Sequence, residues 1–175
     1  GEVKRREPVT VKEGEVVDRG EAVRRVSPEG VLELWFDALF AYLDPGSRDA
    51  ARTRLAELTA PFEGDAAWDE RPGQRLFVER LTDPRFHHIF RSYVVGASPE
   101  NDYRADLGDY RLNIVGGGED PLGRGWVLLL GSSGAETPRP VSLVRRGDGG
   151  WAVATFAAVY AGVTPPRGCG FPGLA

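Results

Sequence analysis

The chain has 175 residues, of which 41% are hydrophobic and 27% charged, and its formal net charge is −4 at pH 7. This length suits one domain with a substantial core, and the composition is ordinary for a soluble globular protein. The negative charge argues against a nucleic-acid partner, because such proteins usually carry a basic face. No apolar run reaches the ~18 residues that a membrane helix needs, so no membrane partner is expected.

Cysteine usage bears on location. Cys169 is the only cysteine, so the chain cannot form an intrachain disulfide. A chain without disulfides is compatible with the reducing cytoplasm, which is where we expect the protein to reside. The sequence begins at Gly1 and contains no methionine, so the native start is not visible and secretion or delivery stays open.

The first 26 residues are charged and lack aromatic side chains, and we interpret residues 1–26 as a tail or linker. Two valine-containing stretches, 9–11 and 16–17, allow a short strand there. Gly14 and Gly20 argue against a helix, because glycine weakens helices.

Helix signals follow this segment. Ser27 and Pro28 predict a helix start, since a serine hydroxyl caps free amides and proline suits the first helical position. The helix should run to Leu43 and be mostly buried, because its polar residues occupy one narrow stripe. Ser47 predicts a second helix that ends before Pro61. Further helical segments are expected at 74–81 and after Asp83.

The second half of the chain predicts an antiparallel meander. Residues 126–130 form a short apolar run bounded by glycines, and residues 146–150 have the composition of a hairpin turn. Trp151 then begins a returning strand with one face toward the core. Gly116-Gly117-Gly118 is interpreted as a long connection between strands, because no Lys-Ser/Thr pair follows it as in a phosphate-binding loop.

Helices followed by an antiparallel sheet predict an α+β fold, with the N-terminal helices packed on one face of a curved sheet. We expect a single domain over residues 27–166, followed by an irregular C-terminal tail at 167–175.

Catalytic and metal-binding signatures are weak. His87 and His88 are the only histidines, and neighbouring residues on a helix point about 100° apart, so we expect no metal site. The serines of Gly131-Ser132-Ser133-Gly134 do not form the G-x-S-x-G turn of a hydrolase. We therefore predict no catalytic residue and no cofactor.

Two stretches resemble a bacterial domain family of unknown function: RSYVVGASPENDY at 91–103, and SSGAETPRPVSLVRRGDGGWAVATFAAVYAGVTPP at 132–166. Members of this family have similar SYF-G-(S/T)PEN-Y and SGA-S-PRP segments. The overall pattern, with helices ahead of a meander, also resembles the cone-shaped NTF2-like fold. The first resemblance implies no activity, whereas NTF2-like proteins often hold a pocket between the helices and the sheet.

We expect a non-enzymatic domain of a bacterial protein that binds a partner protein or peptide through one face of its sheet and the adjoining loops. The alternative is an NTF2-like small-molecule-binding protein, or a small enzyme, with a pocket between the helices and the sheet. A filled interior favours the first function, and a pocket lined by Tyr, Arg and a carboxylate favours the second. The oligomeric state is not predicted.

Two loops, 98–103 and 132–140, contain more specific chemistry than turns require. We expect them to lie close together at one end of the sheet, with Tyr103 and Arg139 at least partly exposed. An alternative is that Arg139 pairs with Glu100 or Glu136 and only braces the loops. The candidate binding residues are Tyr93, Asn101, Tyr103, Glu136 and Arg139.

Overall fold

The computed structural model describes the backbone of residues 9–12, 15–17, 19–60 and 68–168, and the side chains within 20–60 and 68–168. Cys169 and residues 1–8 lie outside this described part. Helices come first and the main sheet follows, so the α+β class is confirmed. The strands are β1 (Val9–Lys12), β2 (Glu15–Val17), β3 (Ile114–Glu119), β4 (Trp126–Leu130), β5 (Arg139–Arg145) and β6 (Trp151–Thr155). The helices are α1 (Arg19–Arg25), α2 (Pro28–Leu43), α3 (Arg48–Leu58), α4 (Arg75–Thr82) and α5 (His87–Arg91).

Helix α2 begins where the sequence predicts. The Ser27 hydroxyl accepts a hydrogen bond from the Gly30 amide at 3.0 Å, which satisfies one of the amides left free at a helix start. Its side chains are buried except along the predicted polar stripe, which includes Glu33 and Asp37. Within the described residues, no helix is both long enough and apolar enough to span a membrane.

The expectation that Gly20 excludes a helix is wrong, because Gly20 lies inside α1. Tertiary packing overrides the weak helix propensity of glycine here. Arg24 of α1 pairs with Glu33 at 3.4 Å and with Asp37 at 3.1 Å on α2. Gly30 allows the close approach, since a Cβ atom there would lie 2.6 Å from Arg24 Cα.

Strands β3, β4, β5 and β6 form a four-stranded antiparallel sheet in that order, and α2 and α3 pack against it. The predicted hairpin between β5 and β6 is confirmed. The Arg146 amide donates to the Gly150 carbonyl at 2.8 Å, and Gly149 takes the positive φ of 88° that the turn requires. Trp151 is 8% exposed, as expected for a strand residue that faces the core.

The interpretation of Gly116-Gly117-Gly118 as a connection is wrong. These three glycines lie in β3 and pair with Leu129, Leu128 and Val127 of β4. Glycine has a low strand propensity, so this strand is hidden in the sequence, and the ladder with the apolar strand β4 supplies its stability.

Aromatic rings fill the layer between the helices and the sheet. Trp35 of α2 stacks on Phe77 of α4 with the ring centroids 5.9 Å apart, and Phe77 also contacts Phe156 at 4.9 Å. The buried Trp35 indole donates a hydrogen bond to the Thr59 hydroxyl at 3.0 Å. These contacts join α2 and α4 to Phe156, which directly follows β6.

The two edges of the sheet differ. At the β6 edge, Thr59 pairs in parallel with Val153, and the Ala60 amide donates to the Val153 carbonyl at 2.8 Å. The segment after α3 therefore covers part of that edge. The β3 edge lies at the opposite side of the sheet.

Candidate functional site

The two predicted loops lie close together at the end of the sheet where β4 leads into β5, as expected, because a Cβ atom at Gly134 would clash with the Tyr103 hydroxyl. Ser92 is buried, and its hydroxyl accepts a hydrogen bond from the Ser132 hydroxyl at 2.7 Å. The Ser133 amide donates to the Ser92 carbonyl at 2.9 Å. On the other side, the Thr164 amide donates to the Gly134 carbonyl at 2.9 Å, so the segment after β6 joins the same assembly.

Tyr93 and Arg139 hold the segment after β6 against the sheet. The fully buried Tyr93 hydroxyl donates to the Val159 carbonyl at 2.7 Å and accepts from the Arg139 guanidinium at 3.0 Å. Arg139 also donates to the carbonyls of Ala161, at 2.7 Å, and Gly162, at 2.6 Å. Burial raises the pKa of Tyr93 to about 12, although the Arg139 guanidinium acts in the opposite direction, so the phenol stays protonated at neutral pH.

Tyr103 is completely buried, so the expectation that it is exposed is wrong. Its φ of +56° follows that of Asp102 at +59°, and this left-handed turn directs the chain back toward the core. The hydroxyl donates to the Thr164 carbonyl, and the ring packs on His88 with the centroids 5.5 Å apart. Burial raises the pKa of Tyr103 to about 12.

Asn101 shapes its own loop. Its side-chain oxygen accepts from the Ser98 amide at 2.9 Å, and its side-chain nitrogen donates to the Gly96 carbonyl at 2.8 Å. The neighbouring Asp102 carboxylate accepts from the Gly168 amide at 2.8 Å. The two Asn101 bonds are local turn contacts, as Asn commonly provides, whereas the Asp102 bond joins the loop to the segment after β6.

The alternative in which Arg139 pairs with Glu100 or Glu136 is wrong. Glu100 pairs with Arg167 at 3.2 Å, and Glu136 is exposed without a hydrogen bond or ion pair to the described residues. Arg139 is half-buried and uses a phenol and backbone carbonyls in place of an acid. The loops are therefore braced by the segment after β6, and a binding role for the five candidate residues stays a prediction.

The β3 edge offers backbone groups for binding. The Asp120 amide donates to the Gly125 carbonyl at 2.9 Å, so these two residues form a hydrogen-bonded pair at the end of the ladder between β3 and β4. This pair determines which residues of β3 direct their backbone groups toward β4. Hydrogen-bonded and non-hydrogen-bonded pairs alternate in antiparallel strands, so Gly117 and Glu119 direct their N–H and C=O groups away from β4. Within the described part of the chain, these outward groups have no hydrogen-bond partner.

One face of the sheet, here called the outer face, lies opposite the buried side chains of Leu128 and Leu143. It carries half-buried and mostly apolar residues, and a groove of about 400 Å³ crosses it, with the Asp120–Arg124 ion pair at one end. Within β3, Val115 is 51% exposed. The half-buried residues of the outer face include Val127, Leu129, Ser142, Val144 and Ala154.

A second groove, here called the α4–α5 groove, lies between the helical segment 80–89 and the segment after β6. Its volume is about 300 Å³. Sequence reasoning missed it, because its walls are about eighty residues apart in the chain and no local motif links them. The lining residues are Arg80, Arg85, Phe86, His88, Ile89, Gly162, Val163 and Pro165.

The histidines are half-buried and engaged with their neighbours. The His87 ring is 2.9 Å from the Leu81 carbonyl, and His88 packs on Tyr103. Burial lowers the pKa of both imidazoles, so both are neutral at pH 7. No group of three or more His, Cys, Asp or Glu side chains in the described residues is placed to hold a metal ion.

Comparison with known proteins identifies the family. Residues 6–167 match the model of a domain of unknown function, DUF6935, and the chain belongs to this family. Neither the curated proteins nor the solved structures give a match. The family match confirms the resemblance to a domain family of unknown function and extends it through the helical first half, where the two quoted motifs do not reach.

Proposed function

We propose that this domain is a non-enzymatic binding module that takes an extended segment of a partner protein along the β3 edge. The observation that carries the proposal is the outward row of backbone groups at Gly117 and Glu119, which have no partner within the described residues. Such an edge can pair with another strand. In strand addition, main-chain hydrogen bonds supply affinity and alternate side chains supply specificity.

The glycines of β3 support this proposal. Packing against β4 favours glycine at position 117, because a Cβ atom there would lie 2.8 Å from Leu128 Cδ2 and 3.0 Å from the Val127 carbonyl oxygen. Gly118 is different, since nothing lies within 4 Å of the position of its Cβ atom. Glycine weakens a strand interior and often marks a place where another backbone approaches closely. Packing within the domain does not require glycine at position 118. The close approach of a partner strand would explain it.

The side chains around β3 define the chemistry of the partner. Val115 is 51% exposed, and the neighbouring outer face carries Val127 and Leu129. Glu119 is exposed and forms no ion pair within the described residues. The partner segment is therefore extended and free of proline, with apolar side chains on one face and a basic residue near Glu119.

The filled interior weighs against the alternative of a small-molecule-binding protein or enzyme. The rings of Trp35, Phe77 and Phe156 occupy the layer where that pocket would lie. A protein partner also fits the net charge of −4 better than nucleic acid does. We further propose a cytoplasmic location, on the basis of the single cysteine.

The experiment compares two substitutions at one position. A library of short peptides with alternating apolar residues is selected on the immobilised full chain, and the affinity of the best peptide is measured by fluorescence polarisation. Glu119→Pro removes the outward N–H, and proline is tolerated on an edge strand. We expect it to weaken binding by about tenfold or more, because the ring also obstructs the added strand.

Glu119→Ala is the matched control, because it removes the carboxylate and keeps the N–H. We expect it to weaken binding by no more than about threefold, the usual scale of a surface ion pair. Urea unfolding of both variants checks that they remain folded. Failure to select any peptide, or equal affinity of the Glu119→Pro variant and the wild type, contradicts the proposal.

A further inference from the structure

We propose that the α4–α5 groove binds a small carboxylate with an apolar body, such as an aryl-substituted carboxylic acid. This site is separate from the β3 edge, and the inference does not depend on the proposed function. Its volume of about 300 Å³ matches the lower end of known ligand pockets. The groove has an apolar floor and one cation that has no acidic partner within the described residues.

The floor of the groove is apolar. Ile89 is 1% exposed at its base, and Phe86, Val163 and Pro165 form its walls. These side chains come from both sides of the groove, since Phe86 precedes α5 and the other two follow β6. An aromatic or branched alkyl group would be enclosed here by apolar contacts, which are the main contribution to binding in such pockets.

Arg80 supplies the unpaired positive charge. Its guanidinium lies 4.6 Å from the centre of the Phe86 ring, and it forms no ion pair within the described residues. The other cation of the groove, Arg85, is already neutralised, because it pairs with Asp83 at 2.7 Å. Burial lowers the pKa of His88, so this imidazole is uncharged at pH 7 and adds no second positive charge.

A carboxylate suits Arg80 on geometric grounds as well. The guanidinium is planar and presents parallel N–H donors that match the two oxygens of a carboxylate. Stacking on Phe86 limits the rotation of the side chain, so less conformational entropy is lost on binding. A neutral amide of the same shape lacks the charge, and an amine is repelled.

The test uses phenylpropionate and phenylpropionamide, which have almost the same shape and differ in charge. Binding to the full chain is followed by amide chemical-shift changes in NMR titrations. We expect the carboxylate to bind about tenfold more tightly than the amide, with the largest shifts at Ile89 and Val163. Equal affinities, shifts centred elsewhere, or no binding of phenylpropionate at millimolar concentration overturn the proposal.

Two variants locate the charge. Arg80→Gln should reduce the affinity for phenylpropionate to that of the amide and leave binding of the amide unchanged. Arg75→Gln is the matched control, because Arg75 lies on the same helix and does not line the groove. An Arg80→Gln protein that keeps the preference for the carboxylate contradicts the assignment. If this variant does not fold, the comparison of the two probes on the wild-type chain decides the question.

Discussion

Tyr93→Phe tests whether the motif loops and the segment after β6 brace one another. The substitution removes a single oxygen, which donates to the Val159 carbonyl at 2.7 Å and accepts from Arg139 at 3.0 Å. Tyr93 and Val159 are both 0% exposed, so the carbonyl would be left buried without this partner. Arg139 keeps its hydrogen bonds to the carbonyls of Ala161 and Gly162, so the loss of its bond to the Tyr93 hydroxyl adds little to the destabilisation.

An unsatisfied buried acceptor costs about 1–3 kcal/mol, so we expect the free energy of unfolding to fall by about 2 kcal/mol. For a chain of this length, that loss corresponds to a decrease in Tm of about 4–8 °C. Urea unfolding and thermal melts measure both quantities.

The matched control is Tyr160→Phe. Tyr160 is half-buried against Phe77 and has no hydrogen bond within the described residues, so its hydroxyl should be dispensable to within about 0.5 kcal/mol. Equal stability of the Tyr93→Phe and Tyr160→Phe proteins would show that the Tyr93 hydroxyl does not hold the segment after β6, and the bracing role would be refuted.

Two further predictions concern stability. Trp151→Ala should cost about 3–5 kcal/mol in urea unfolding, because the indole is 8% exposed and packs on Trp126; a thermal shift of a degree or two would contradict its place in the core. The pKa values of His87 and His88 are lowered by burial, so the unfolded chain takes up protons first as the pH falls below about 6.5. The free energy of unfolding should therefore decrease from about pH 7 to pH 5, and this decrease should be smaller in the His88→Gln variant. A free energy of unfolding that does not change over this pH range would show that the histidines are not desolvated.

Local signals predict much of the fold. Ser27 with Pro28 defines the start of α2, and the Gly-rich stretch 146–150 defines a hairpin, because each signal acts through backbone groups a few residues away. Strand β3 could not be predicted from local sequence signals. Its glycines have a low intrinsic strand propensity, and their conformation depends on pairing with β4.

The surroundings of the candidate residues depend on contacts that are distant in sequence. The proximity of the two loops follows from the order of the strands and could be predicted. The burial of Tyr103 could not, because it depends on Thr164, which lies 61 residues later in the chain. The α4–α5 groove could not be predicted for the same reason, because its lining includes Ile89 and Val163, which are far apart in the chain.

Hydrogen exchange at individual β3 amides tests most directly whether a partner segment adds to this edge. In the free protein, the outward amides of Gly117 and Glu119 should exchange rapidly, whereas the inward amide of Gly118 is already bonded to β4. Binding of the selected peptide should slow exchange at Gly117 and Glu119 by about tenfold or more and leave Gly118 little changed. Unchanged exchange at both outward amides in the peptide-bound protein would contradict strand addition at β3.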